Sequence, residues 1–283
     1  MKEKKNPNLI FAYLILIIII LTIVCILASL CLLIVTLLND KTPLESNEQQ
    51  TVLQSQESPD DPVSLPTHDP ILAESQDMGM TYIDQMIFFG ESTTTHLRSR
   101  GVLSGGTDTH QVWADSSGTK TLSSKLLSET LIYPPTGENL TVAAALEKEQ
   151  PTYLVLSFGL NNIAYFVNHK DNYVNNYNKL INTVKQASPN TRIILQSVYP
   201  VSAACDDFSV NGATVCSYTE TLNGWLKEIA ASHENVKFAD TASVLKGADG
   251  TLIAAYDTGD GVHLSADAYQ QILLYLRTHA WQD

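Results

Sequence analysis

Four short blocks in the last two-thirds of the 283-residue chain carry side chains suited to acyl chemistry. They are Gly90-Glu91-Ser92, Ser117-Gly118-Thr119, Gly159-Leu160-Asn161-Asn162 and Asp260-Gly261-Val262-His263. A serine hydroxyl is a weak nucleophile until a base takes its proton, and a neutral imidazole does this near neutral pH. The imidazole in turn needs a carboxylate to fix its tautomer and stabilise the imidazolium. His263 has Asp260 three residues earlier, within reach of one tight turn, and Asp257 as the second candidate. Ser92 is the candidate nucleophile. The oxygen that gains charge in a tetrahedral intermediate needs hydrogen-bond donors. The Ser92 N–H, the Gly118 N–H and the Asn161 amide are the candidates for that oxyanion hole. Lacking a Cβ, Gly118 lets its backbone come close.

These blocks need elements to carry them. Met86 to Gly90, Gln111 to Ala114, Tyr153 to Gly159, Arg192 to Pro200 and Val236 to Ala239 are apolar runs rich in β-branched or aromatic residues. Several lack polar alternation, as strands buried on both faces do. Helical spacing lies between them. Tyr173, Val174, Tyr177, Leu180, Ile181 and Val184 form one stripe, and Leu222, Trp225, Leu226 and Ile229 a second. Ala268, Ile272, Leu273 and Leu276 form a third, with Ser265 placed as its N-cap. The alternation predicts an α/β domain with a mostly parallel five-stranded sheet covered on both sides. Ser92 opens a predicted helix over 92–98, so it stands beyond the carboxyl end of a strand, where such sheets bind ligands.

In this order the four blocks resemble the SGNH hydrolases, also called the GDSL esterase and lipase family, over essentially all of residues 77–283. That family's blocks read Gly-Asp-Ser, a glycine donating its backbone N–H, Gly-x-Asn-Asp and Asp-x-x-His. Glu91 and Asn162 stand where the family has Asp; neither is nucleophile, base, orienting carboxylate or main oxyanion donor. The resemblance implies a three-layer α/β/α, flavodoxin-like sandwich and a serine hydrolase without a metal or cofactor. The sequence agrees, having no His-x-His or His-Glu-x-x-His string.

The loops after Asn161 and Pro200 are placed to rim the cleft. Tyr165 and Phe166 are candidates for an apolar or sugar-stacking wall, or else pack beneath the loop. Cys205 and Cys216 close a short loop, and an oxidising compartment favours a disulfide between them, worth roughly 3 kcal/mol.

Residues 9–38 carry no charge. As a helix they would reach ~45 Å, beyond a bilayer core of ~30 Å. The run is too long for a cleaved signal peptide, and no small-x-small exit site precedes Asp40. With Lys2, Lys4 and Lys5 ahead of it, this reads as a transmembrane signal anchor with a cytoplasmic tail of residues 1–8 and everything after Leu38 outside. Residues 39–76 are rich in Ser, Pro, Gln and acidic side chains and read as a disordered stalk. The chain has 17 basic and 30 acidic residues, net −13, which argues against nucleic acid as a partner. The expected substrate is an O-acyl ester on cell-envelope carbohydrate. An O-acyltransferase, a lipase or lysophospholipase, and a silent envelope-binding module are the alternatives.

Overall fold

The computed structural model describes residues 69–206 and 212–282. Its strands are β1 (Met86–Gly90), β2 (Val112–Trp113), β3 (Thr130–Tyr133), β4 (Glu138–Thr141), β5 (Tyr153–Ser157), β6 (Arg192–Gln196) and β7 (Val236–Ala239). The α-helices are α1 (Met80–Ile83), α2 (Ser92–Ser99), α3 (Val142–Glu149), α4 (Ile163–Phe166), α5 (Lys170–Ala187), α6 (Ala203–Asp206), α7 (Val215–Ala231) and α8 (Ala266–Thr278). Five strands form one sheet in the order β2-β1-β5-β6-β7, and every neighbouring pair is parallel. Counted along the chain that order is 2-1-3-4-5, the flavodoxin-like winding, and its direction reverses between β1 and β5.

Successive side chains of a strand point to opposite faces, and here both faces are apolar. Ile87, Phe89, Leu154 and Leu156 pack with Tyr177, Leu180 and Ile181 of α5 and Leu222 and Leu226 of α7. Phe88, Val155 and Ile194 pack instead with Ala268, Ile272 and Leu276 of α8. Each of the three apolar stripes in the sequence is thus one helix seam, and three layers result. Thr141, Thr214 and Ser265 cap α3, α7 and α8 by accepting from the N–H groups of Ala144, Ser217 and Ala268, contacts worth ~1 kcal/mol each.

The structure departs from the sequence reading in several places. β5 and β6 end at Ser157 and Gln196, not at Gly159 and Pro200. The residues beyond find other partners: Val198 exchanges two hydrogen bonds with the Asn223 amide. The sequence reading holds no hairpin β3–β4, which is antiparallel and meets the sheet through the Ala114–Ile132 bridge and the Tyr133 ring against Trp113. The folded body also begins before residue 77. Phe238 donates to the Pro70 carbonyl, Leu72 donates back to Phe238, and Leu72 is buried, so the end of the expected stalk lines the free edge of β7. The expected anchor, the cytoplasmic tail and the rest of the stalk lie outside the described residues. Among the described residues no helix is long and apolar enough to cross a membrane.

Candidate active site

Ser92 is the first residue of α2, directly after β1 and Glu91. Gly90 is obligatory there: a Cβ would fall 2.3 Å from both the Ser157 carbonyl oxygen and the Thr94 hydroxyl. The Tyr269 hydroxyl of α8 donates to the Thr93 carbonyl at 2.5 Å and pins the start of α2 from below. As a first-turn residue, Ser92 has an N–H without an intrahelical acceptor.

His263 arrives from the loop ahead of α8. Its Nε2 lies 3.1 Å from Ser92 Oγ, and its Nδ1 lies 2.6 Å from Asp260 Oδ2. Asp260 Oδ1 accepts from the N–H groups of Val262 and His263, at 3.0 and 2.8 Å. Those backbone bonds, with the His263 ring, hold the Asp260 carboxyl well below its ordinary range, so it remains an anion. The second candidate, Asp257, accepts from the N–H groups of Gly259 and Gly261 at 2.8 and 2.9 Å. It shapes the loop instead.

The Asn161 block reaches the serine through an unanticipated residue. Glu91 is almost wholly buried, at 3% exposure. Its Oε1 accepts from Gly159 N–H at 2.9 Å, and its Oε2 accepts from Leu160 and Asn161 N–H at 3.1 and 3.0 Å. Burial pushes its carboxyl up to about 8, against the pull of those three donors. The Asn161 amide extends toward Thr121, Nδ2 to Oγ1 3.5 Å. On the opposite side, Tyr173 and Tyr177 donate to the Phe158 carbonyl at 3.0 and 2.9 Å. Gly159 has φ +142°, and a Cβ there would meet Val198 and the Tyr173 hydroxyl below 3 Å, so the turn closes only on glycine.

The structure corrects three sequence expectations. Gly118 lies beside α2, its Cβ position 3.8 Å from the Thr95 methyl, but its N–H donates to Asp115 O at 3.1 Å and closes a turn. That turn is anchored by the buried Lys120, which pairs with Asp115 and Glu129 at 3.0 and 3.1 Å. In this arrangement the oxyanion donor expected from Gly118 is already engaged. Phe166 does not line the rim: it is buried at 2% exposure and packs on Tyr173, whereas Tyr165 is 48% exposed. Cys205 and Cys216 are free thiols on α6 and α7, one facing the Asp260 carbonyl and the other the Val201 carbonyl. The bridge expected between them is not formed in this structure.

A second histidine also sits in the site. His96, one turn along α2 from Ser92, lies with its ring centroid 4.6 Å from that of His263. Its Nδ1 is buried without a partner. Burial, then the neighbouring His263, lowers its pKa, so it stays neutral beside the other ring. The only available signal was its helical spacing from Ser92, and that spacing has many commoner explanations. Among the described residues no cluster of side chains could hold a metal ion.

Fold and site together define an ester-hydrolysing enzyme. The family model of the GDSL-like lipases and acylhydrolases matches residues 88–271, and the chain belongs to that family. Solved structures with a similar fold include a candidate G-D-S-L lipolytic protein from Desulfitobacterium hafniense DCB-2, 17% identical, with 69% of this chain and 98% of that one covered at a TM-score of 0.44. A family 3 carbohydrate esterase from Clostridium thermocellum is 15% identical, covering 68% and 93% at 0.42. One from Talaromyces cellulolyticus is 19% identical, covering 48% and 59% at 0.35. No curated protein matches the chain.

Proposed function

We propose that this enzyme cleaves short-chain O-acyl esters of cell-surface carbohydrate through a Ser92–His263–Asp260 relay. The observation that carries the reading is the 3.1 Å approach of Ser92 Oγ to His263 Nε2, with Asp260 2.6 Å from the other ring nitrogen. His263 takes the hydroxyl proton as Ser92 Oγ bonds to the ester carbonyl carbon. The Ser92 N–H and the Asn161 amide stabilise the oxyanion. His263 then gives the proton to the departing alcohol oxygen as the C–O bond breaks. Water repeats the sequence on the acyl-serine and releases the free acid. Asp260 orients the ring throughout, and its depressed pKa keeps it ionised for that role.

Two features favour a sugar ester over a lipid. Tyr165 is the one exposed large aromatic among the described residues. One face stacks on His169, at 4.1 Å and 15°, and its hydroxyl accepts from Asn172 at 2.6 Å, so the ring is held in place while the residue stays 48% exposed. Residues 168–172 next to it line a cavity of about 290 Å³ with polar side chains, Lys170 and Asp171 among them, a surface suited to hydroxyl groups. The uncharged run 9–38 behind three lysines supports a membrane anchor with the enzyme outside.

Ser92→Ala should abolish hydrolysis of an aryl acetate by the full-length chain and prevent labelling by a fluorophosphonate. Undiminished turnover in that variant removes the mechanism. Tyr165→Ala should raise KM for acetylated envelope polysaccharide several-fold while aryl acetate kinetics stay level. An equal change on both substrates, or on neither, rejects the sugar-stacking role. Protease added to intact cells should degrade the domain from outside, and full protection would place it elsewhere.

A further inference from the structure

We infer that Glu91 is a positioning residue of the oxyanion site, its carboxylate holding the loop 159–161 so that the Asn161 amide faces the tetrahedral intermediate. The inference rests on the oxyanion role proposed above for Asn161. Glu91 adjoins the nucleophile in sequence, yet its side chain turns away from the cleft into the protein. There it accepts from three consecutive backbone N–H groups, including that of Asn161 itself. No Lys or Arg pairs with it among the described residues, so these donors are its compensation for leaving water.

The geometry gives the charge a specific task. Two carboxylate oxygens can receive three N–H groups at once; an amide must point its NH2 at least at one of them, and a protonated carboxyl gives up part of its acceptor capacity. One N–H would then be left unsatisfied and the loop would shift. The groups facing Glu91 across the loop are the phenols of Tyr173 and Tyr177, both neutral because burial above all raises their pKa. They hold Phe158 from the other side. The loop is therefore gripped on both flanks, by neutral donors on one and, as pH rises through about 8 and Glu91 ionises, by an acceptor anion on the other. A displacement of the amide by ~1 Å is enough to lose most of an oxyanion contact, because such contacts work through fixed placement.

The test uses Glu91→Gln, Glu91→Asp, Asn161→Ala and the Glu91→Gln/Asn161→Ala double variant of the full-length chain, with an aryl acetate as substrate. Glu91→Gln should lower kcat by about 10–100-fold with KM within threefold, a loss smaller than removal of the donor itself. Glu91→Asp, which keeps the charge, should recover part of the rate. The double variant should be no slower than Asn161→Ala alone, because the two residues act through one contact. Both enzymes should show the rising limb of the His263 base, and wild type alone a further rise in kcat around pH 8 as Glu91 ionises. Full additivity in the double variant, or a Glu91→Gln kcat within twofold of wild type, overturns the inference. So does a loss in Glu91→Gln that appears in KM alone. If Asn161→Ala retains full activity, the oxyanion reading has failed independently of Glu91.

Discussion

The site contains two carboxylates held by backbone N–H groups, and they contrast in nearly every other respect. Asp260 accepts from Val262 and His263, two and three residues away, and its side chain is 52% exposed. Glu91 accepts from Gly159, Leu160 and Asn161, 68 to 70 residues away, and is buried. The first is a local turn that any Asp-x-x-His string with a glycine can form. The second exists only because β1 and β5 are neighbours in register, Gly90 opposite Ser157. The acid–base half of the site is thus assembled by sequence proximity and the oxyanion half by sheet topology. Disturbance should spread differently from each.

The largest expected effect beyond loss of Ser92 falls on the exposed half. Asp260→Asn should lower kcat on the order of 10⁴-fold while leaving thermal stability nearly unchanged, as loss of an orienting carboxylate does. Asp257→Asn should change kcat far less; if the two variants lose activity equally, the division of roles between them is wrong. The buried half should instead respond in stability. The folded-state pKa of Glu91, about 8, lies above its ordinary value near 4.5. The folded state therefore binds the extra proton between those values. The resulting stabilisation is complete below about pH 4.5 and is lost as pH rises through about 8. Thermal melts across pH should show wild type losing stability over that range relative to Glu91→Gln, and parallel curves would refute it.

The smallest effect concerns His96. His96→Phe keeps a ring against His263 but removes the buried, unpartnered Nδ1. It should raise stability by about 1 kcal/mol, with kcat changed less than fivefold. Because the His96 pKa is lowered in the fold, wild type loses its contribution as pH falls below about 6.5. The advantage of Phe should accordingly grow toward acid pH. A melting temperature that drops at every pH would mean that His96 makes a contact worth keeping.

What could be read in the sequence follows the same division. β1 and β7 have the expected bounds, and the helix stripes at 173–184, 222–229 and 268–276 lie inside α5, α7 and α8. These features repeat over a few residues, so their periodicity is visible without a partner. The hairpin β3–β4 was missed because its strands Thr130–Tyr133 and Glu138–Thr141 are half exposed and mixed in character. The fate of Gly118 could not be read either. Whether its N–H faces a cleft or closes a turn depends on the Lys120 ion pairs with Asp115 and Glu129.

Residue types and short spacings by themselves determined the mostly parallel α/β class, the candidate serine and histidine, and Asp260 as the first of two candidate carboxylates by its one-turn reach, since each depends on periodicity or chemistry contained in a local string. Tertiary structure alone decided that Glu91 faces inward to grip the loop 159–161, that Phe166 is buried while Tyr165 is not, that two thiols stay apart, and that His96 lies against His263. The direction of a side chain, and the desolvation it undergoes, depend on segments brought together from far along the chain, and no local pattern contains them.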